Sequence, residues 1–210
     1  MVENRTLRTT PADDVLRRRV KAAIRKRMRG LRNALPASAC AERSSRIAQR
    51  CLTLEAMARA RAVALFWPMA QRHEVDLGEV DRRLRELGGR VAYPAVDRES
   101  GAMTFRFVAD LREMTEPSPL SAGLREPSAL APEASPGELD VIVVPALAVD
   151  PTGHRIGYGS GYYDRVLPRF APPATTIAVA FDFQLLVEIP WTEHDARVDW
   201  VVTDVRALAR

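Results

Sequence analysis

Val141-Ile142-Val143-Val144-Pro145, with Arg155-Ile156-Gly157-Tyr158-Gly159-Ser160-Gly161-Tyr162-Tyr163-Asp164-Arg165 soon after it, is the stretch that decides the fold. The first run is short, continuous and apolar, as expected of a strand buried on both faces. From Tyr162 to Leu167 the chain can start a helix, which Pro168 and the Pro172-Pro173 pair limit. The three alternating glycines therefore fall on a strand-to-helix connection. Glycine lets backbone N–H groups approach a ligand closely, and a helix N-terminus favours anions. Arg155 and Arg165 flank the loop with positive charge, and Asp164 is placed to hold a metal. The pattern implies a site for a phosphorylated ligand, most simply a nucleotide. A mere chain reversal rarely needs three alternating glycines. No common phosphate loop fits: Gly161 is followed by Tyr162, which excludes both a Gly-Lys-Ser/Thr ending and the third glycine of a dinucleotide fingerprint.

Working outward, 1–13 reads as a loose tail and Val15 to Leu35 as a long basic helix, with Val20, Ile24, Met28, Leu31 and Leu35 near helical spacing. A second helix is expected over 39–58. Ala62 to Trp67 reads as a buried strand stopped by Pro68. Leu77 to Leu87 is a helix closed by Gly88-Gly89, and strands follow at 90–94 and 103–108. Residues 113–138, rich in Pro, Ser and Glu, read as an extended loop. Further strands are expected at 176–181 and 198–202. Alternating strands and amphipathic helices predict an α/β fold: one domain over 14–210, a largely parallel sheet flanked by helices, and an N-terminal helical arm. Ligands of such sheets bind beyond the carboxyl ends of strands.

A chain of 210 residues can bury a sizeable core without staples. The net charge is +4, yet Lys21 and Lys26 are the only lysines and most arginines lie among acids. That distribution argues against nucleic-acid binding and suits an anionic small substrate. The two cysteines, Cys40 and Cys51, are too far apart on one helix to pair, about 16 Å at the helical rise. They read as packing residues in a reducing compartment. The N-terminus lacks the apolar run of a secretory signal, and no 18-residue apolar run occurs, so a cytoplasmic location without membrane insertion is expected.

Other groups can join the glycine loop. Lys21 and Arg25, at i and i+4, share a helix face that is either solvated or turned to the site. Glu74 follows the first strand and can bind a polar heterocycle, while Asp76 caps the next helix. Asp195 and Asp199 lie at the last strand, either as a metal ligand or as solvated acids. His73, His154 and His194 lack metal-ligand spacing and read as loop residues.

The run from Val144 to Arg165, read with Lys21-x-x-x-Arg25, Phe66-Trp67-Pro68, Glu74-Val75-Asp76 and the Asp195/Asp199 pair, resembles the 5-formyltetrahydrofolate cyclo-ligase family over about 17–205. The resemblance implies ATP- and Mg²⁺-dependent closure of 5-formyltetrahydrofolate to 5,10-methenyltetrahydrofolate, with release of ADP and phosphate. The γ-phosphoryl group activates the formyl oxygen, and N-10 then attacks and expels phosphate. Such chemistry asks the protein for positioning and charge neutralisation. By resemblance Lys21, Arg25, Arg155 and Asp164 are catalytic. Lys21, Arg25 and Arg155 contact phosphates, with backbone donors from Gly157, Tyr158, Gly159, Ser160, Gly161, Tyr162 and Tyr163. Trp67 and Glu74 hold the pterin, and Tyr158 to Tyr162 also line the substrate. Asp164 and Asp195 carry Mg²⁺. A folate partner, polyglutamylated forms included, and a monomeric state are the corresponding expectations.

The chain also departs from that pattern. Ala122 stands where the family has an aromatic ring, which would remove folate stacking of about 0.5–1.5 kcal/mol. Val149 replaces a Phe, and two extra residues precede Glu74. A non-catalytic folate- or nucleotide-binding paralogue is therefore the competing reading. An RNA-binding helix over Arg17 to Arg32 is a third, disfavoured by the lack of interleaved aromatics.

Overall fold

The computed structural model describes residues 11–97, 99–115 and 125–210. Most of the expected tail, and Ala122, lie outside them. Helix α1 spans Pro11–Asn33. It begins earlier than periodicity suggested, because Pro11 suits a first helical position and Asp13 and Asp14 favour the positive end of the helix dipole. The expected single helix over 39–58 is two, α2 at Ala37–Thr53 and α3 at Glu55–Arg59. Leu54 breaks them by taking an extended backbone that buries its side chain.

The strands are β1 (Ala62–Ala64), β2 (Arg90–Val96), β3 (Met103–Phe107), β4 (Val141–Pro145), β5 (Ala148–Val149), β6 (Arg155–Ile156), β7 (Thr175–Val179), β8 (Trp200–Val202) and β9 (Ala207–Ala209). Helices α4 (Gly78–Glu86) and α5 (Tyr162–Phe170) complete the set. Among the described residues, seven strands form one sheet in the order β3-β2-β1-β4-β7-β8-β9. The five central strands run parallel, and β3 and β9 are antiparallel edges. The sequence reading missed β9.

Alternation on the central strands builds two cores. Val63, Val141, Val143, Ile177, Val179 and Val202 pack with Ile47, Cys51, Val80 and Leu84 of α2 and α4. Ala64, Ile142, Val144, Ala178 and Val201 pack on the other face with Val166, Leu167 and Phe170 of α5. The run VIVVP reads as continuously apolar because both faces are covered. Pro168 does not end α5; the helix continues to Phe170. Burial of Leu167 and Phe170 offsets the backbone hydrogen bond that a proline inside a helix cannot make.

One correction bears on the site. The glycine loop does not leave β4 directly. A small hairpin, β5 paired antiparallel with β6, stands between them. Its residues Leu147, Ala148 and Ile156 form a third cluster with Met28 of α1 and Ile189, partly covered by Ile24 and Tyr158. That cluster docks the arm against the loop.

Candidate active site

The base of the loop is a tight turn built on Asp150, which is fully buried. Its Oδ1 accepts from the Thr152 N–H (2.9 Å), the Thr152 hydroxyl (2.7 Å) and the His154 N–H (3.1 Å), and its Oδ2 accepts from the Ile189 N–H (3.0 Å). Burial alone would raise the Asp150 carboxyl, but these donors bring it below the usual carboxylate range. The turn requires glycine at 153. Its φ is +86°, and a Cβ there would lie 2.3 Å from the Val198 carbonyl oxygen. Val198 in turn donates its N–H to the Gly153 oxygen (2.9 Å), fixing the turn to the segment before β8. His154 is a buried loop residue, with its ring stacked on Trp191 at 4.9 Å.

Beyond β6 the backbone opens. The N–H groups of residues 158–161 make no hydrogen bond among the described residues. Gly159 (φ +114°) and Gly161 (φ +67°) turn this run, and Gly161 is the residue that caps α5. The first turn of α5 adds donors that have no intrahelical partner. Arg25 donates from Nε to the Gly157 carbonyl (2.9 Å), and its guanidinium lies beside Gly159, 3.6 Å from where a Cβ would be. Lys21, one turn earlier, reaches Asp195 at 2.5 Å with only 13 % of its side chain exposed. The basic face of α1 is thus turned to the loop rather than to solvent. Burial would raise the Asp195 carboxyl, yet the Lys21 ammonium and the Thr192 N–H hold it below its ordinary value.

Arg155 is buried. It donates to the Ala196 carbonyl (2.6 Å) and to Asp164 Oδ1 (2.9 Å), so its guanidinium engages protein groups and orients Asp164. Arg165 folds back to the Ser160 carbonyl (2.9 Å) and lies over the Tyr162 ring. Asp199 clamps β7, accepting from the Thr176 N–H (2.8 Å) and hydroxyl (2.7 Å). It is a strand-edge tie.

At the far end of the loop, Tyr158 donates its hydroxyl to Glu74 Oε1, while Glu74 Oε2 accepts from the Met69 N–H (2.8 Å). Glu74 is buried at 7 % exposure beyond the end of β1. Burial, followed by the Glu74 charge, pushes the Tyr158 phenol up to about 12. Trp67 lies two residues before Met69, which donates to Glu74. It packs on Tyr93 at 5.8 Å, beneath the Arg125 guanidinium.

A sequence profile described as the 5-formyltetrahydrofolate cyclo-ligase family matches residues 17–204. The chain belongs to that family. It is similar to the 5-formyltetrahydrofolate cyclo-ligase of Mycolicibacterium smegmatis, 40% identical over 126 residues, which cover 60% of this chain and 65% of that one. The Saccharomyces cerevisiae cyclo-ligase is 28% identical over 203 residues, covering 87% of this chain and 94% of its own. Among solved structures, the Aquifex aeolicus 5,10-methenyltetrahydrofolate synthetase superposes with a TM-score of 0.78 at 26% identity, covering 90% of this chain and 92% of that one.

The donor set fits the magnesium ion that the cyclo-ligase resemblance implies. Asp164 and Asp195 each bond protein groups through a single oxygen, leaving Asp164 Oδ2 and Asp195 Oδ1 without a hydrogen bond among the described residues. Among those residues no group of three or more acids, histidines or cysteines is poised for a metal. Mg²⁺ commonly takes one or two carboxylates and completes its shell with waters and phosphate oxygens. Sequence reasoning missed Arg32, which donates to the Tyr158 oxygen, and the buried Asp150. Arg32 continues the i, i+4, i+7, i+11 stripe of Lys21, Arg25 and Met28, a signal hidden in an arginine-rich run.

Proposed function

We propose that this chain performs the cyclo-ligase reaction: ATP-dependent closure of 5-formyltetrahydrofolate to 5,10-methenyltetrahydrofolate, giving ADP and phosphate. The observation that carries the reading is the run of N–H groups at 158–161 that have no hydrogen bond among the described residues, ending at the start of α5 and faced by Arg25. Such a run cradles phosphate oxygens. Lys21 and Arg25 neutralise the transferring phosphoryl group. Arg155 works by holding Asp164. Glu74 accepts hydrogen bonds from the pterin amino and ring N–H groups through lone pairs that Met69 and Tyr158 leave free. Asp164 and Asp195 would hold Mg²⁺, which when bound offsets phosphate charge.

The γ-phosphoryl group passes from ATP to the formyl oxygen as its bond to the β-phosphate oxygen breaks and ADP leaves. N-10 then bonds to the formyl carbon, the C–O bond breaks, phosphate leaves, and the N-10 proton is lost to solvent. The protein supplies orientation and exclusion of water. Among the described residues no helix is long and apolar enough to cross a membrane. A monomeric cytoplasmic enzyme, acting on folates with or without a polyglutamate tail, completes the proposal. Formation of the methenyl chromophore, assayed with and without ATP and Mg²⁺, tests it. Product only when both are present is the expected result. ATP binding without product at any folate concentration would instead mark a nucleotide-binding paralogue.

A further inference from the structure

Lys21, Arg25, Met28 and Arg32 form one stripe of α1, and each side chain touches a different part of the site. Lys21 takes Asp195, Arg25 takes the Gly157 carbonyl, and Met28 enters the cluster under the β5–β6 hairpin. Arg32, only 3 % exposed, donates from Nη2 to the Tyr158 oxygen. A guanidinium has no acceptor, so the phenol oxygen must accept from it. The single Tyr158 proton is then directed to Glu74 Oε1. With Met69 on Oε2, the carboxylate is fixed at both oxygens.

Packing alone does not account for Arg32. Its Nε is buried with no partner among the described residues, a cost that an apolar side chain of similar length would avoid. We propose that Arg32 is a positioning residue for the folate half of the reaction: through the Tyr158 hydroxyl it fixes the orientation of Glu74. It thereby ties the helix that grips the nucleotide loop to the group that receives the pterin. The proposal rests on the cyclo-ligase reading with Glu74 as the pterin acceptor.

The test is steady-state kinetics with each substrate varied, on Glu74→Gln, Tyr158→Phe, Arg32→Met, Arg32→Lys and the Arg32→Met/Tyr158→Phe double variant. Glu74→Gln checks the underlying reading by itself. It should raise the folate KM at least tenfold, and an unchanged value would remove Glu74 from the folate site whatever Arg32 does. Given that result, Arg32→Met should raise the folate KM about five- to tenfold and leave the ATP KM within twofold. Arg32→Lys should recover part of the loss. In the Tyr158→Phe background Arg32→Met should add less than twofold, since its route is already cut. Equal rises in both KM values, or fully additive losses in the double variant, would overturn the proposal. If Arg32→Met melts below the assay temperature, Arg32→Leu replaces it in the cycle and is read by the same criteria, since leucine also carries no donor for the Tyr158 oxygen.

Discussion

Asp164 is held by the buried Arg155, and that pairing governs how it should be mutated. Asp164→Ala would leave a guanidinium buried without its charge partner, an expensive state. Asp164→Asn keeps an acceptor for Arg155 and removes the charge. Its kcat is expected to fall at least a hundredfold while its melting temperature stays within a few degrees of wild type. Near-normal turnover by the folded variant would remove Asp164 from the chemistry. For Lys21→Ala, the Thr192 N–H still holds Asp195, so the fold should survive. An ammonium contributes charge to a phosphate and nothing specific to a pterin. Separate calorimetric titrations should show ATP binding weakened about tenfold and folate binding nearly unchanged; the reverse pattern would contradict the assignment.

The turn at 150–154 is the element that sets the loop on its course. Gly153→Ala places a Cβ against the Val198 carbonyl at a positive φ, so urea unfolding should show a loss of at least ~2 kcal/mol. Gly157→Ala meets no atom within 4 Å and has no positive φ, so its stability should change by less than about 1 kcal/mol. Equal losses at the two sites would contradict this account of the turn. The contrast also shows what the sequence disclosed at this scale. The apolar runs of β1, β4 and β7 and the Gly88 end of α4 were legible because local pattern and burial agree there. The β5–β6 hairpin was not. Two-residue strands carry no periodicity, and their pairing depends on Asp150, whose partners lie partly beyond its own turn. Likewise Lys21 and Arg25 were visible as a pair, but their direction was set by Gly157 and Asp195, far along the chain.

For the whole molecule, acid should act through carboxylates that the fold holds by hydrogen bonds, the buried Asp150 and the half-buried Asp195. Asp150 and Asp195 titrate below their ordinary values when folded. An unfolded aspartate titrates near ~3.9, so the stability they contribute is complete above that pH and is lost as pH falls through the lower folded values. The denaturant midpoint should hold from pH 7 to 5 and drop below pH 4, and Asp195→Asn should flatten part of that drop. Tyr158 acts at the other limit. Its pKa is raised to about 12, so its contribution is full below ~10 and fades as pH climbs through 12. Thiol chemistry gives a separate measure of global opening. Cys51 is fully buried, with its thiol pushed up to about 12, and Cys40 is also buried and raised. A colorimetric disulfide reagent at pH 8 should therefore label neither within minutes, and both after unfolding.

The clasp made by α1 joins distant parts of the chain: its three polar anchors link residues 174, 132 and 126 positions apart. During synthesis the arm emerges before its partners, and the last of them, Asp195, follows Lys21 by 174 residues. At ordinary elongation rates the interval is on the order of ten to thirty seconds. Until Gly157 and Tyr158 are made none of Lys21, Arg25 and Arg32 has its anchor, and Lys21 waits longer still for Asp195; Val15, Leu16 and Val20, exposed even in the finished fold, stand beside them. The nascent protein therefore passes through a stage in which its sheet is growing and its arm is an unattached cationic helix, open to chaperones and proteases. Docking of the arm is complete only once the segment that carries Asp195 has been made.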